Sequence, residues 1–436
     1  MHAALVERPG SCVRRLGGGR AGEVRFTRFL RNRAVTAEEM ARHAAARTGA
    51  RVAGREIVVV QDTSELALGG RRARKNGYGP VGKGGASRGL LLHAALAVEV
   101  GGGALLGLVE AKVWNREAAA AARRGRATAD KESQRWLDTA ARAGEALAAA
   151  GSLTVVSDRE SDVYELFARR PAHAHLIVRA AQNRRIAAGE DDEEARALLF
   201  PFVEALPEAD RFTAKIPAAP GRRERTAQLA VRFSSVVLRK PRHGAARDLP
   251  ATIALRLIDV REVATPEDGE PIHWRLLTTR QVGGAGEARR IVDLYRMRWT
   301  IEEFFRTLKS AGFQIEEADI GDPRAMINLV AAATVAAVTV MQLVKARDGA
   351  TDQPLADAFD PDDQTALEAL SARLEGATQR QKNPHPAGSL AFAAWVIARL
   401  GGWTGYYGKP GPKVMRRGLD DFRRIKYGTT LRLPDV

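Results

Sequence analysis

Four polar residues in the segment YRMRWTIEEFFRTLK, residues 295–309, are spaced so that they could act together. At about 100° per residue of α-helix, they fall within an arc of roughly 60°: Tyr295, Arg298, Glu302 and Lys309. A carboxylate flanked by a guanidinium, an ammonium and a phenol suits a site that holds a metal ion beside a phosphodiester. An amphipathic helix with solvated charges would show the same pattern, so other segments have to decide.

Two further carboxylates interrupt apolar, β-branched runs that predict buried strands. Asp62 breaks the run IVVV in residues 57–68, and Asp158 follows the run LTVV in residues 153–167, just before a helical stretch. Strands covered on both faces have such runs. We therefore expect Asp62 and Asp158 at strand ends, where a carboxylate can leave the core. Taken singly, an aspartate after a strand is more often a turn or helix-cap residue.

Together with Glu302, the two aspartates form a set of three carboxylates. Mg²⁺ and Mn²⁺ prefer oxygen ligands, and two such ions a few ångströms apart stabilise the attacking and leaving oxygens of a phosphoryl transfer. We therefore expect Asp62, Asp158 and Glu302 to converge on one site and to hold two Mg²⁺ (or Mn²⁺) ions.

These residues resemble a known family, the bacterial cut-and-paste DDE transposases of the insertion-sequence-four type, which includes the transposon-five transposase. The segment 295–309 meets the family signature of Tyr, two residues, Arg, three residues, Glu, six residues, Lys. Asp62 in QDTSEL and Asp158 in SDRESD look like the first and second catalytic aspartates. The resemblance covers roughly residues 25 to 403 and includes four more segments: RFTRFLRNRAVTAEEM, KESQRW, HWRLLTT and AGSLAFAAWVIARLGGW.

The resemblance implies a DNA transposase that nicks a transposon end, forms a hairpin with the freed 3′-hydroxyl, reopens it with water and joins the 3′ end to target DNA without ATP. Double-stranded DNA would be the partner of a homodimer in the bacterial cytoplasm, associated with the nucleoid. Trp274 occupies the position that stacks on a flipped base, although a core tryptophan is the alternative. Other residues are expected to contact DNA phosphates: Tyr295, Arg298, Lys309 and, in the same cleft, Arg179.

Pattern and resemblance together predict an α/β fold: an RNase H-like mixed sheet flanked by helices, with an inserted β-rich subdomain and a helical C-terminal region. Strands are expected near residues 57–68, 90–100, 104–114 and 153–158, with a Gly-Gly-Gly hairpin turn after the second and a charged helix over about 116–149. The expected division is a truncated helical lead (1–50), the first part of the core (51–182), the insertion (183–275), the second part of the core (276–345) and a dimerisation region (346–436).

Composition agrees with work on a polyanion. Lys and Arg number 68 against 52 Asp and Glu, which gives a net charge of +16. The single Cys12 excludes an intramolecular disulfide framework and suits a reducing cytoplasm. The apolar run 327–344 is long enough to span a membrane, but its small residues favour a buried core helix, and we expect no membrane partner.

The basic loop GGRRARKNGYGPVGKGGASRG, residues 69–89, comes one residue short of a phosphate-binding P-loop. Lys83 is followed by Gly84 where the pattern needs Ser or Thr, and the loop leads into a strand, so we expect no nucleotide cofactor. Its cations either contact the DNA backbone near Asp62 or belong to a solvated loop: Arg71, Arg74, Lys75, Lys83 and Arg88. The histidines do not have the spacing of zinc ligands, so a zinc hydrolase is unsupported. A glycosidase with two catalytic carboxylates is not excluded by sequence spacing alone, but it would leave Arg298 and Lys309 without a role.

One departure from the family concerns the N-terminus. Residues 1–24 precede RFTRFLRN and leave no room for the small helical domain that reads the transposon end in similar transposases. Two hypotheses follow: an active DNA-cutting enzyme, or an inhibitor-like form that pairs with full-length partners and does not itself transpose.

We predict that this chain binds transposon-end DNA no more tightly than random duplex. Base contacts, and not phosphate contacts, specify sequence, and the expected truncation removes the domain that would make them. Its binding should fall steeply with salt, since non-specific contacts release counterions. A mobility-shift comparison of the two DNAs at physiological salt measures this. Tight, selective retention of the end fragment would mean that recognition resides within residues 1–436.

Overall fold

The computed structural model describes residues 1–7, 11–69, 77–116, 132–187, 197–216, 223–243, 246–264, 266 and 270–430 of the chain. Its helices are α1 His2–Glu7, α2 Val13–Gly17, α3 Arg20–Arg31, α4 Ala37–Gly49, α5 Gln134–Ala146, α6 Tyr164–Ala168, α7 Leu199–Glu204, α8 Ala285–Arg296, α9 Trp299–Arg306, α10 Pro323–Ala346, α11 Asp363–Leu374, α12 Leu390–Leu400 and α13 Pro412–Thr430. Its strands are β1 Glu56–Ala67, β2 Gly79–Val81, β3 Ser87–Glu99, β4 Leu105–Trp114, β5 Ser152–Ser157, β6 Ala174–Arg179, β7 Ile186–Ala187, β8 Asp210–Ile216, β9 Arg225–Arg239, β10 Thr252–Glu262 and β11 His273–Thr278.

The strands form one mixed sheet of eleven strands. Its order is β2-β3-β1-β5-β6-β11-β10-β9-β7, with β4 paired to β3 and β8 paired to β9. Strand β5 runs parallel to both β1 and β6, and the other pairs are antiparallel. With helices on its faces, the sheet confirms the predicted α/β class and is consistent with an RNase H-like transposase fold.

Strand β1 is buried on both faces, which explains its apolar run. Val58 and Val60 belong to one apolar core, and Ile57 and Val59 belong to a second core on the opposite face. Side chains alternate between the faces of a strand. The polar residues that follow this run on β1 therefore also point alternately to one face of the sheet and to the other.

Different helices cover the two faces. Helix α5 lies on the face of Ile57 through Trp136, Ala140 and Ala143, whereas α8, α9 and α10 contribute to the core that holds Val58. In the described ranges, α10 is the one helix long and apolar enough to cross a membrane. It packs against β4, α1, α4 and α12. This burial is the core-helix arrangement predicted for residues 327–344.

The predicted β-rich insertion contains β7, β8, β9 and β10, and the alternating runs 229–239 and 251–263 do form strands. These strands do not form a separate sheet. Strand β11 pairs with β10 on one side and with β6 on the other, so the ladder is continuous into the predicted core.

Two predictions concern helices outside the sheet. Of the helix predicted over residues 116–149, the part Gln134–Ala146 is present as α5, and residues 117–131 lie outside the described residues. The C-terminal region is helical as predicted, with α11, α12 and α13.

Replacing Phe304 by alanine should lower the free energy of unfolding by about 3–5 kcal/mol, because the ring is fully buried on α9 and its removal leaves a cavity. Urea denaturation of the full chain measures this. Tyr407, which is 86% exposed, gives the control, and its alanine variant should stay within about 0.5 kcal/mol of wild type. Equal stability of the two variants would contradict the packing described for α9.

Candidate active site

Asp62 lies within β1 and not at a strand end as predicted. The parallel pairing of β1 with β5 stops at Val60, whereas its antiparallel pairing with β3 continues to Ala67. Strand β1 therefore continues beyond the end of its pairing with β5, because β3 still pairs with it. Asp62 lies in this part of β1, just past the last residue that pairs with β5.

Asp158 follows β5 directly, as predicted, and leads into a 3₁₀ turn over Arg159–Ser161 and then into α6. The Ser161 hydroxyl donates to the backbone carbonyl of Asp158 at 2.7 Å. The turn therefore carries the second aspartate on a short, internally bonded segment at the same edge of the sheet as Asp62.

The segment that carries Glu302 is not the single helix that the sequence predicts. Helix α8 ends at Arg296, α9 starts at Trp299, and residues Thr307–Ala311 form a π turn. Between the helices, the amides of Arg298 and Ile301 bond to carbonyls three residues earlier, so this turn is tighter than an α-helix. The break keeps Tyr295, Arg298 and Glu302 together but disturbs the predicted arc beyond Glu302.

Arg298 is the centre of the site. Its guanidinium contacts all three predicted carboxylates: Nη2 lies 2.6 Å from Glu302 Oε1 and 3.9 Å from Asp158 Oδ2, and Nη1 lies 3.1 Å from Asp62 Oδ2. Burial acts to lower the pKa of Arg298, but Tyr295 and the three carboxylates outweigh it and raise the pKa above its ordinary value. The structure thus brings together three carboxylates that are distant in sequence.

Both oxygens of the Asp62 carboxylate have a hydrogen-bond partner. Its Oδ1 accepts the Thr63 amide at 2.7 Å, while its Oδ2 faces Arg298. Burial raises the pKa of Asp62 to about 6, against the lowering effect of Arg298 and of the Thr63 amide. By contrast, the Glu302 side chain is 52% exposed and forms the solvent side of the cluster.

Tyr295 donates its hydroxyl to Asp158 Oδ1 at 3.2 Å. Burial, together with the charge of Asp158, raises the pKa of this phenol, so it stays protonated and can act as a donor. Its ring packs against Trp274, with 5.5 Å between ring centres. The indole is only 7% exposed, which is the core position that the sequence left open as the alternative.

Arg179 reaches the cluster, as expected from its place at the end of β6. Its Nη1 lies 3.6 Å from Asp158 Oδ1, and its Nη2 donates to the backbone carbonyl of His273 at 2.9 Å. A second guanidinium therefore joins the cluster at Asp158, and Arg179 also connects the end of β6 to β11.

Lys309 lies in the π turn, where each residue advances by less than the 100° on which the predicted arc rests. It pairs with Glu316 at 3.7 Å, and Glu316 accepts the amide of Ala67 at the far end of β1.

The two described cations of the basic loop also lie away from the carboxylates. Arg88 is six residues along β3 from Ala94, the residue paired with Asp62, which corresponds to roughly 20 Å. Lys83 lies in the exposed turn between β2 and β3. Their contact with DNA stays a prediction, with Arg88 placed away from Asp62, and the loop leads into a strand as predicted. Arg71, Arg74 and Lys75 lie outside the described residues.

Sequence reasoning missed the residues that hold the aspartates from behind. Thr63 bonds to His93 and Arg135, and Arg135 also bonds to Glu160. Alternation along β1 could have indicated Thr63, since it must face away from Asp62. Arg135 lies in the segment KESQRW, which has family resemblance but no inferred role.

Residues 129–338 match the family model described as the transposase DDE domain. The matched stretch runs from before α5 into α10 and includes Asp158, Arg298 and Glu302, while Asp62 precedes it. This match supports a DDE transposase, the class that acts on DNA by phosphoryl transfer.

The raised pKa of Asp62 predicts how the free energy of unfolding depends on pH. With its pKa near 6 in the folded chain and 3.8 as its ordinary value, the folded state binds a proton between these pH values that the unfolded state does not bind. Asp62 therefore opposes folding most strongly above pH 6, and this penalty disappears as pH falls toward 3.8. The stability advantage of Asp62→Asn over wild type should therefore grow by about 2–3 kcal/mol from pH 4 to pH 7.

Urea denaturation of both proteins across this range in metal-free buffer measures the difference. A constant difference in unfolding free energy at every pH would contradict the raised pKa.

Proposed function

We propose that this chain is a DNA transposase of the insertion-sequence-four type, similar to the transposon-five transposase, in which Asp62, Asp158 and Glu302 form the catalytic triad. The observation that carries the proposal is their convergence on Arg298 from three distant segments. An arrangement of this kind has no structural need for three carboxylates, since one would neutralise the guanidinium.

The three carboxylates fit a divalent metal in type, since Mg²⁺ and Mn²⁺ prefer oxygen ligands. Among the described residues, no group of three acidic, histidine or cysteine side chains is arranged to hold an ion directly. Asp62, Asp158 and Glu302 would hold the ions, while Arg298, which lies among them, would remain available to bind a phosphate. When bound, these ions would stabilise the attacking and leaving oxygens of the phosphodiester.

The remaining side chains have separate roles in this proposal. Arg298 and Arg179 present guanidiniums that can bind phosphate oxygens in a bidentate manner. The protonated phenol of Tyr295 orients Asp158 and can donate to the same phosphate. Trp274 would have to leave its packing on Tyr295 to stack on a flipped base.

The reaction proposed is cleavage at a transposon end, hairpin formation by the freed 3′-hydroxyl, opening of the hairpin by water and strand transfer to target DNA. Residues 346–436 would pair two copies on DNA. Lys309, Lys83 and Arg88 would contact the DNA backbone at some distance from the scissile bond, along the ribbon of β1 and β3.

Glu302→Gln should reduce Mg²⁺-dependent strand cleavage by at least about a hundredfold. Mutation of a residue that only supports a metal ligand already lowers metal affinity or activity by about 10–100-fold, and loss of a ligand itself should lower it no less. DNA affinity should stay nearly unchanged, since it comes mainly from Lys and Arg. Gel cleavage assays and fluorescence anisotropy of the full chain measure the two effects.

Glu303→Gln is the matched control, because Glu303 is adjacent on α9 and pairs with Lys345 at 2.9 Å instead of with Arg298. It should cleave at close to the wild-type rate. Wild-type cleavage by the Glu302 variant would overturn the triad, and a wild-type chain that binds partners but never cuts DNA would favour the inhibitor-like alternative.

A further inference from the structure

Asp62 is flanked on β1 by two polar side chains that face the opposite side of the sheet. Gln61 and Thr63 both contact the ring of His93 on β3: Gln61 Oε1 lies 3.3 Å from Nε2, and Thr63 Oγ1 lies 2.9 Å from Nδ1. Thr63 and His93 are also register partners. One imidazole therefore fixes the strand on both sides of the aspartate.

The direction of the hydrogen bonds in this network follows from its chemistry. Arg135 Nε can only donate, and it lies 2.8 Å from Thr63 Oγ1. The threonine hydroxyl thus accepts from Arg135 and donates its own proton to His93 Nδ1, which leaves Nε2–H to donate to Gln61. Burial holds the pKa of His93 well below its ordinary value, so the ring is neutral, as an accepting Nδ1 requires.

Arg135 also extends to the segment of the second aspartate. Its Nη2 donates to Glu160 Oε2 at 2.8 Å, and Glu160 lies in the turn directly after Asp158. Its Nη1 donates to the carbonyl of Glu132 at 2.6 Å, and its guanidinium lies 5.0 Å from the ring centre of Trp136. The residue is 8% exposed, so these contacts hold it in one place.

This bridge spans a gap that the sheet leaves open. The parallel pairing of β1 and β5 ends at Val60 and Val156, before either aspartate is reached. No ladder pair of the described strands therefore sets the distance between Asp62 and Asp158. The guanidinium of Arg135 joins the two segments just beyond that point, through Thr63 on one side and Glu160 on the other.

We propose that Arg135 is a positioning residue that sets the separation of Asp62 and Asp158 for metal binding, acting through Thr63 and Glu160. This inference rests on the function proposed above. Arg135 lies behind the carboxylates and acts through the backbone of β1 and the turn Arg159–Ser161.

The test compares Arg135→Gln with Arg142→Gln in the full chain. Arg142 is a matched control because it is also on α5 and also has ion pairs, with Glu110 at 2.6 Å and Glu38 at 3.8 Å. Only Arg135→Gln should raise the Mg²⁺ concentration for half-maximal DNA cleavage, by about tenfold, as loss of an outer-shell partner does. Its DNA affinity should stay close to that of the control.

Thr63 provides a second, milder pair of variants. Thr63→Val removes the hydroxyl that links Arg135 to β1 and should raise the Mg²⁺ requirement in the same way, whereas Thr63→Ser keeps the hydroxyl and should restore it. In a double variant, Arg135→Gln should add little to Thr63→Val, because both remove the same connection.

Hydrogen exchange gives a measurement that does not need activity. Amides near Thr63 and in the turn Arg159–Ser161 should exchange faster in Arg135→Gln than in Arg142→Gln. Faster exchange with an unchanged Mg²⁺ requirement would reduce Arg135 to a structural role and overturn the proposal. A wild-type chain that cut no DNA would instead contradict the proposed function, and equal exchange in the two variants would then overturn the positioning role as well.

Discussion

The charge of one buried guanidinium holds together a set of carboxylates that would otherwise repel each other. Asp62, Asp158 and Glu302 come from a strand, a turn and a helix, and Arg298 is within 4 Å of each of them. Removing one partner of a buried ion pair costs about 3–5 kcal/mol, because the other charge stays buried. The placement of α9 against the edge of the sheet therefore depends on Arg298 as much as on the apolar core.

Local pattern was sufficient for much of this arrangement. The apolar runs before Asp62 and Asp158 predicted the central strands, since a strand buried on both faces must be apolar at successive positions. The three-glycine turn predicted the hairpin of β3 and β4. The grouping of Tyr295, Arg298 and Glu302 needed only the short-range geometry of one or two helical turns.

Other features depend on partners that are distant in sequence. Asp62 lies inside β1 because β3 continues to pair with the strand after β5 has ended, and no local pattern reports this. The π turn at Thr307–Ala311, which contains Lys309, has no proline or glycine within it to signal the departure from an α-helix. Likewise, Trp274 packs on Tyr295 from another element, and Arg135 reaches Thr63 from α5.

The continuity of the sheet has a mechanical consequence. Strands β6 and β11 share only three register pairs, from Arg179–Leu276 to Ile177–Thr278, whereas β9 and β10 share a ladder of eleven. These three pairs, continued by the backbone bonds of Ala180 to Arg275 and of Thr279 to Leu176, are the seam through which force on the long strands would reach the central strands. Arg179 lies at the end of the seam and beside Asp158, so bending of the outer strands would be felt first at the carboxylates.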